Sequence, residues 1–237
     1  MSGDLLSSNE ADQIRPVNVT SDKPNVAIRG RLKKFIKRWW ILLLVLVLVV
    51  AGTMGWLMYR QSQEQTWKNA TDYYTRADYA KAASLLKQVG MPSEKDRLRV
   101  YAQTMLATRD LEKAEPAYKK LFEATKDPAD KLALGNIYNE QKKYDQAIRV
   151  YQEVISNNKN SVQAYVNLTI VHKLQGNVKE ATSVAKEAVA NNPQNASVHE
   201  LLVSMLMENK NTQEYKDAVA GLRALNPEDS LLQSIDN

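Results

Sequence analysis

Cysteine is absent from the 237-residue chain. That excludes a disulfide framework, a thiol nucleophile, a lipoprotein anchor and every Cys-containing zinc site. Histidine occurs only as His172 and His199, too far apart in sequence to be paired ligands on one helix turn. Glycine (8), proline (7) and phenylalanine (2) are also scarce. Few Gly and Pro beside abundant Ala, Leu, Lys and Gln predict an all-α protein. The chain has no Gly-rich phosphate loop, no G-x-S-x-G elbow and no His pair at metal-ligand spacing. It is expected to be no enzyme and to need no cofactor and no metal.

What charge there is lies unevenly. Residues 1–60 hold nine basic and four acidic side chains, while residues 61–237 hold 23 of each sign. The formal charge of +5 therefore belongs to a short N-terminal stretch. Nucleic-acid binding needs a basic stripe on the folded domain, so no nucleic-acid partner is expected.

One long hydrophobic run stands out. Trp39 to Tyr59 carries no charge, and its core IleLeuLeuLeuValLeuValLeuValVal (41–50) is the most apolar stretch of the chain. Twenty-one helical residues span about 31 Å, close to the hydrocarbon thickness of a bilayer. Trp39 and Trp40 mark one end and Trp56 and Tyr59 the other, as amphipathic rings do at headgroup level. Six basic residues from Arg29 to Arg38 precede the run; only Arg60 and Lys68 follow it within ten residues. The positive-inside bias predicts a single-pass cell-membrane protein with a cytoplasmic N-terminus and an extracytoplasmic remainder. The basic cluster would be drawn to anionic headgroups. A signal peptide cut after Ala51 is the alternative, but the forty residues before the run far exceed a usual n-region. Ala51 and Gly55 form a small-xxx-small pair through which a homodimer could pack. Residues 1–28 are polar, with Pro16 and Pro24, and are expected to be disordered. The division is then 1–38 for a disordered cytoplasmic tail with its basic cluster, 39–59 for the transmembrane helix and 60–237 for the folded domain.

The folded part repeats itself. AspTyrAlaLysAlaAlaSerLeuLeu (78–86), AspLeuGluLysAlaGluProAlaTyr (110–118), LysTyrAspGlnAlaIleArgValTyr (143–151) and AsnValLysGluAlaThrSerValAla (177–185) read alike. Each places an Ala at a fixed point: Ala82, Ala114, Ala147 and Ala181, at successive spacings of 32, 33 and 34. Leu86, Tyr118, Tyr151 and Ala185 follow four residues on; Val89, Leu121, Val154 and Ala188 follow seven on. This is one face of an amphipathic helix. Each such helix is preceded by another, best seen in LysLeuAlaLeuGlyAsnIleTyr (131–138). Leu134-Gly135 with Tyr138, the later Ala147 and Tyr151, and Pro193 and Pro227 resemble the tetratricopeptide (TPR) signature W-x2-L-G-x2-Y, A-x3-F, P.

The resemblance implies a TPR α-solenoid of five helix pairs, about 63–94, 95–127, 128–161, 162–195 and 196–229, with Leu231, Leu232 and Ile235 as a cap. Stacking buries faces that no single pair can cover. Tyr118, Tyr138 and Tyr151 read as wedges of that core, and His172 and His199 as packing residues. Unit five departs from the pattern, with Tyr215 at the small Ala place and Val203 at the Gly place. TPR domains bind peptides in a groove lined by the first helix of each unit. In this register Leu132, Asn136 and Asn139 line it in unit three, and Gln163, Asn167 and Ile170 in unit four. Some TPR domains clamp a partner's C-terminal carboxylate with cations; here Leu132, Ser197 and Leu201 stand at the charged places. The layout is similar to bacterial inner-membrane TPR proteins and implies a scaffold for protein or peptide partners, in secretion or envelope assembly. A holdase-type chaperone for exported chains, an organelle import receptor with a cytosolic TPR domain and a regulatory subunit of a membrane-bound enzyme supplied by another chain are the other readings.

Overall fold

The repeat period reappears as a recurring turn. The computed structural model describes residues 25–236, with side chains from 31 to 235. In it, Ala77, Arg109, Lys142 and Gly176 all have positive φ, at 57°, 57°, 59° and 78°. They follow the 32, 33, 34 spacing of the fixed alanines. After each, an amide reaches back to the helix just ended. Asp78 N–H donates to Tyr73 O (2.9 Å), Asp110 to Met105 (2.9 Å), Lys143 to Tyr138 (2.8 Å) and Asn177 to His172 (2.9 Å). A left-handed residue closing a helix with such a six-to-one bond is the Schellman arrangement. It reverses the chain into the second helix of the pair.

Eleven α-helices occur among the described residues: α1 (Asn25–Thr75), α2 (Tyr79–Val89), α3 (Lys95–Ala107), α4 (Leu111–Thr125), α5 (Pro128–Glu140), α6 (Tyr144–Asn157), α7 (Val162–Leu174), α8 (Val178–Asn191), α9 (Ala196–Leu206), α10 (Gln213–Leu225) and α11 (Ser230–Asp236). No strand is present among them. The chain divides into two units, residues 1–60 and 61–237.

Within the second unit, α3 packs on α4, α4 on α5, and so on to α10, and the first helices α5, α7 and α9 also touch one another. The helix pairs keep the boundaries expected for five units, with residues 61–75 of α1 opening the first. Ala82, Ala114, Ala147 and Ala181 are all fully buried. Their small side chains let paired helices approach closely. Gly135 serves the same contact from the other side: a Cβ there would lie 2.5 Å from Tyr151 Cε1. The tyrosine ring fills the space that the glycine leaves.

Unit five solves the packing differently. Tyr215 and Val203 are buried despite their size. The close approach moves along α10 to Gly221, where a Cβ would lie 2.7 Å from His199 Nδ1. The left-handed turn is replaced by a short 3-10 helix, Met207–Asn209, and by Thr212, whose hydroxyl caps α10 at Tyr215 N–H. Leu232 of α11 is buried against this end, with Leu231 and Ile235 packed beside it.

In the first unit, α1 begins at Asn25, well before the end of the expected disordered stretch. Pro24 is the last helix breaker, and Arg, Lys, Leu and Ile after it favour the helix. The expected disorder of residues 1–24 lies outside the described residues. From Leu32 to Tyr59 every large apolar side chain is 46–67% exposed. The helix contains a window long and apolar enough to cross a membrane, and none of that window is buried among the described residues.

Candidate peptide-binding groove

Leu132, Asn136 and Asn139 fall at i, i+4 and i+7 of α5, and Gln163, Asn167 and Ile170 at the same spacing of α7. Each trio therefore shares one helical face. Because α5 and α7 touch, the two faces adjoin.

The amides interlock across the two units. Gln163 Nε2 donates to Asn167 Oδ1 at 2.9 Å. Asn167 Nδ2 donates to Asn136 Oδ1 at 2.7 Å. The Tyr151 hydroxyl donates to that same oxygen at 2.8 Å, from the second helix of unit three. Burial pushes the Tyr151 hydroxyl far above its ordinary range, so it stays a neutral donor.

Both lone pairs of Asn136 Oδ1 are occupied. The two N–H groups of Asn136 have no protein partner among the described residues, whereas the Asn167 amide also bonds the Tyr151 hydroxyl. Asn167 Oδ1 keeps one lone pair. The pair therefore offers two donors for one acceptor, a surface suited to carbonyl oxygens.

The other predicted residues are placed less uniformly. Leu132 is half-buried against the core. Ile170 is 42% exposed, and Leu174, one turn further on the same face, is 57% exposed. Asn139 stands outside the network: its Oδ1 is buried and has no hydrogen-bond partner among the described residues. Two contributors were missed from sequence. Leu174 had a signal, its i+4 spacing from Ile170. Tyr151 read as a core wedge, and its ring is fully buried; only its being Tyr rather than Phe hinted at the polar end.

Two cations on the first helix of unit two are committed elsewhere. Arg99 forms a bidentate pair with Asp130 (3.0 and 3.2 Å), a carboxylate buried at the start of α5 and also bonded by Thr125 at 2.8 Å. Arg97 pairs with Glu64 and Glu94 and lies over the Trp67 ring. His172 and His199 take packing places: His199 Nε2 lies 3.0 Å from Pro193 O, and His172 Nδ1 is buried without a partner among the described residues.

The family model of the TPR repeat matches residues 135–176, the stretch that contains Asn136, Tyr151 and Asn167. No curated protein matches the sequence. Solved structures of MamA share the fold. One, described as MamA protein, is 15% identical, with a TM-score of 0.57 over 70% of this chain and 92% of that one. Another, MamA from residue 41 to its end from Desulfovibrio magneticus RS-1, is 15% identical, with a TM-score of 0.54 over 71% and 97%. At such identity the likeness speaks for the fold alone. The folded unit carries TPR repeats arranged as an α-solenoid.

Proposed function

We propose that the chain is a membrane-anchored scaffold whose solenoid holds an extended, internal segment of a partner protein along α5 and α7. The observation that carries this is the amide chain from Gln163 through Asn167 to Asn136. It holds the two asparagines rigidly and leaves mainly donors free, which suits the carbonyls of a peptide backbone. Ile170 and Leu174 beside it offer apolar contact to the segment's side chains. A free C-terminal carboxylate is not the feature read, since Leu132, Ser197 and Leu201 occupy the places where cations would bind it. The apolar window of α1 supports anchoring in a cell membrane. The basic residues before it support a cytoplasmic N-terminus and an extracytoplasmic solenoid, as a scaffold in secretion or envelope assembly requires.

The test is selection of peptides from a random display library on the full chain in detergent. Amidating the C-terminus of a selected peptide is expected to leave its affinity unchanged. Replacing Asn136 and Asn167 together by Ala is expected to weaken it about tenfold or more, with the helical circular dichroism retained. A tenfold loss on amidation overturns the internal-segment reading. Full binding by the double variant removes the site from this groove.

A further inference from the structure

The stretch before the apolar run is helical, and its helical phase sorts its residues. At about 100° per residue, Leu32, Phe35, Ile36, Trp39 and Trp40 occupy one arc of about 140°. Arg31, Lys33, Lys34, Lys37 and Arg38 occupy the rest, so within residues 31–40 no basic residue intrudes on the apolar arc, although the phase of Arg29, just before them, falls on it. Phe35 and Trp39 touch along that arc, their ring centroids 5.9 Å apart. All ten residues are exposed, and none of the five cations is ion-paired among the described residues. The sequence places no acidic residue between Asp22 and Glu64, so no local carboxylate could neutralise them.

A helix that needed only solubility would have no reason to segregate its charges. One that merely followed the positive-inside bias would need cations in any phase. Where the unbroken α1 leaves the bilayer at a tilt, such a division turns the aromatic and aliphatic side chains toward the membrane surface and lets the long Lys and Arg side chains reach the phosphates. Five unpaired cations on one side, with no anion among them, are complementary to a negatively charged surface and not to a zwitterionic one. We propose that residues 31–40 form an anionic-phospholipid recognition face, which collects acidic lipids around the helix. This rests on the reading that α1 enters a bilayer.

The test uses the full chain reconstituted in phosphatidylcholine vesicles with trace spin-labelled lipid. The fraction of motionally restricted label gives the relative association of phosphatidylglycerol against phosphatidylcholine. The wild type is expected to favour phosphatidylglycerol about threefold or more. The preference should fall close to one in the variant K33Q/K34Q/K37Q/R38Q, and in about 1 M salt, where charges are screened beyond roughly 3 Å. A second variant, L32K/K33L/I36K/K37I, keeps composition and charge but mixes the two faces. It is expected to lose at least half of the preference. A wild-type ratio of one overturns the proposal. So does a preference that the Gln variant retains, and so does one that the mixed variant retains in full. Absence of restricted label with either lipid would instead show that α1 does not enter the bilayer, which is the failure of the reading beneath.

Discussion

The Tyr151 hydroxyl donates to Asn136 Oδ1 at 2.8 Å, joining a fully buried ring to an amide of the candidate groove. That ring is also the one that fills the space above Gly135. Core packing of unit three and the orientation of a groove residue thus depend on the same side chain. The coupling is direct: a displaced ring would carry its hydroxyl away from Asn136 and release one of the two bonds that orient the amide.

Tyr151→Phe separates the two roles. The ring and its packing remain, and the neutral hydrogen bonds of the hydroxyl are lost, at about 1 kcal/mol each. The thermal unfolding curve should move only slightly. Affinity for a selected peptide should fall, because the Asn136 amide is then held by Asn167 alone. Equal affinity for Tyr151→Phe and wild type, measured by titration calorimetry, would show that the hydroxyl does not position the groove.

Gly135→Ala probes the packing side. The added methyl would overlap Tyr151 Cε1, and relief requires the ring or the helix to shift. Overpacking of this kind costs about 1–3 kcal/mol. Ala147→Trp, at a fully buried place on α6, should cost at least as much. Both are read as lower unfolding temperatures; unchanged unfolding in both would disprove the repeat register.

The left-handed turns yield a stabilising change. Lys142 holds φ at 59° with a Cβ that disfavours it. Gly176, at the matching place one unit on, shows the residue such turns prefer. Lys142→Gly relieves the strain but makes the unfolded chain more flexible, so the net gain should be about 0.5–1 kcal/mol. Gly176→Lys should cost a similar amount. Chemical denaturation of the two variants should move in opposite directions.

These turns show where sequence was legible and where it was not. The spacing of Ala82, Ala114, Ala147 and Ala181 located the helix pairs, because one small residue per pair is a requirement of close packing. The left-handed residues were visible only at Gly176. Ala77, Arg109 and Lys142 carry no glycine signal, since the surrounding turn imposes the conformation against their preference. The shared helical faces of the candidate groove residues were legible through the 3.6-residue period. Which amide meets which was not, because that depends on the offset between neighbouring helices. Asn139 shared the phase of Asn136 yet lies outside its network for that reason.

Acid should expose an ion-pair contribution between units two and three. Glu115 on α4 accepts from Lys119 Nζ at 2.6 Å and from Lys143 Nζ at 2.9 Å, the latter beside the start of α6. Burial works to raise its pKa, but the bonds from the two lysines and Gln141 outweigh it and hold the carboxyl at about 2, below the ordinary 4.5. A depressed carboxyl stabilises the fold fully above its unfolded value and loses that effect as pH falls toward the folded one. At neutral pH Glu115→Gln should lower stability by about 1 kcal/mol. The gap to wild type should narrow as pH drops from about 5 toward 2. A gap that stays constant across that range would assign the loss to something other than the charge.

Topology can be tested cleanly because the chain has no cysteine of its own. A single Cys at Ser7 or at the exposed Ser156 of α6 would be the sole thiol in each variant. The Arg29–Arg38 cluster against the sparse charge after Tyr59 predicts Ser7 in the cytoplasm and Ser156 on the far side. A membrane-impermeant maleimide added to intact cells, or to spheroplasts if an outer membrane is present, should label Ser156→Cys and leave Ser7→Cys unlabelled until the membrane is broken. The reverse pattern would place the solenoid in the cytosol and its partners with it. Labelling of Ser156→Cys on a product shortened to begin near Gly52 would instead reveal a cleaved leader, and the recognition face at residues 31–40 would then be absent from the mature protein.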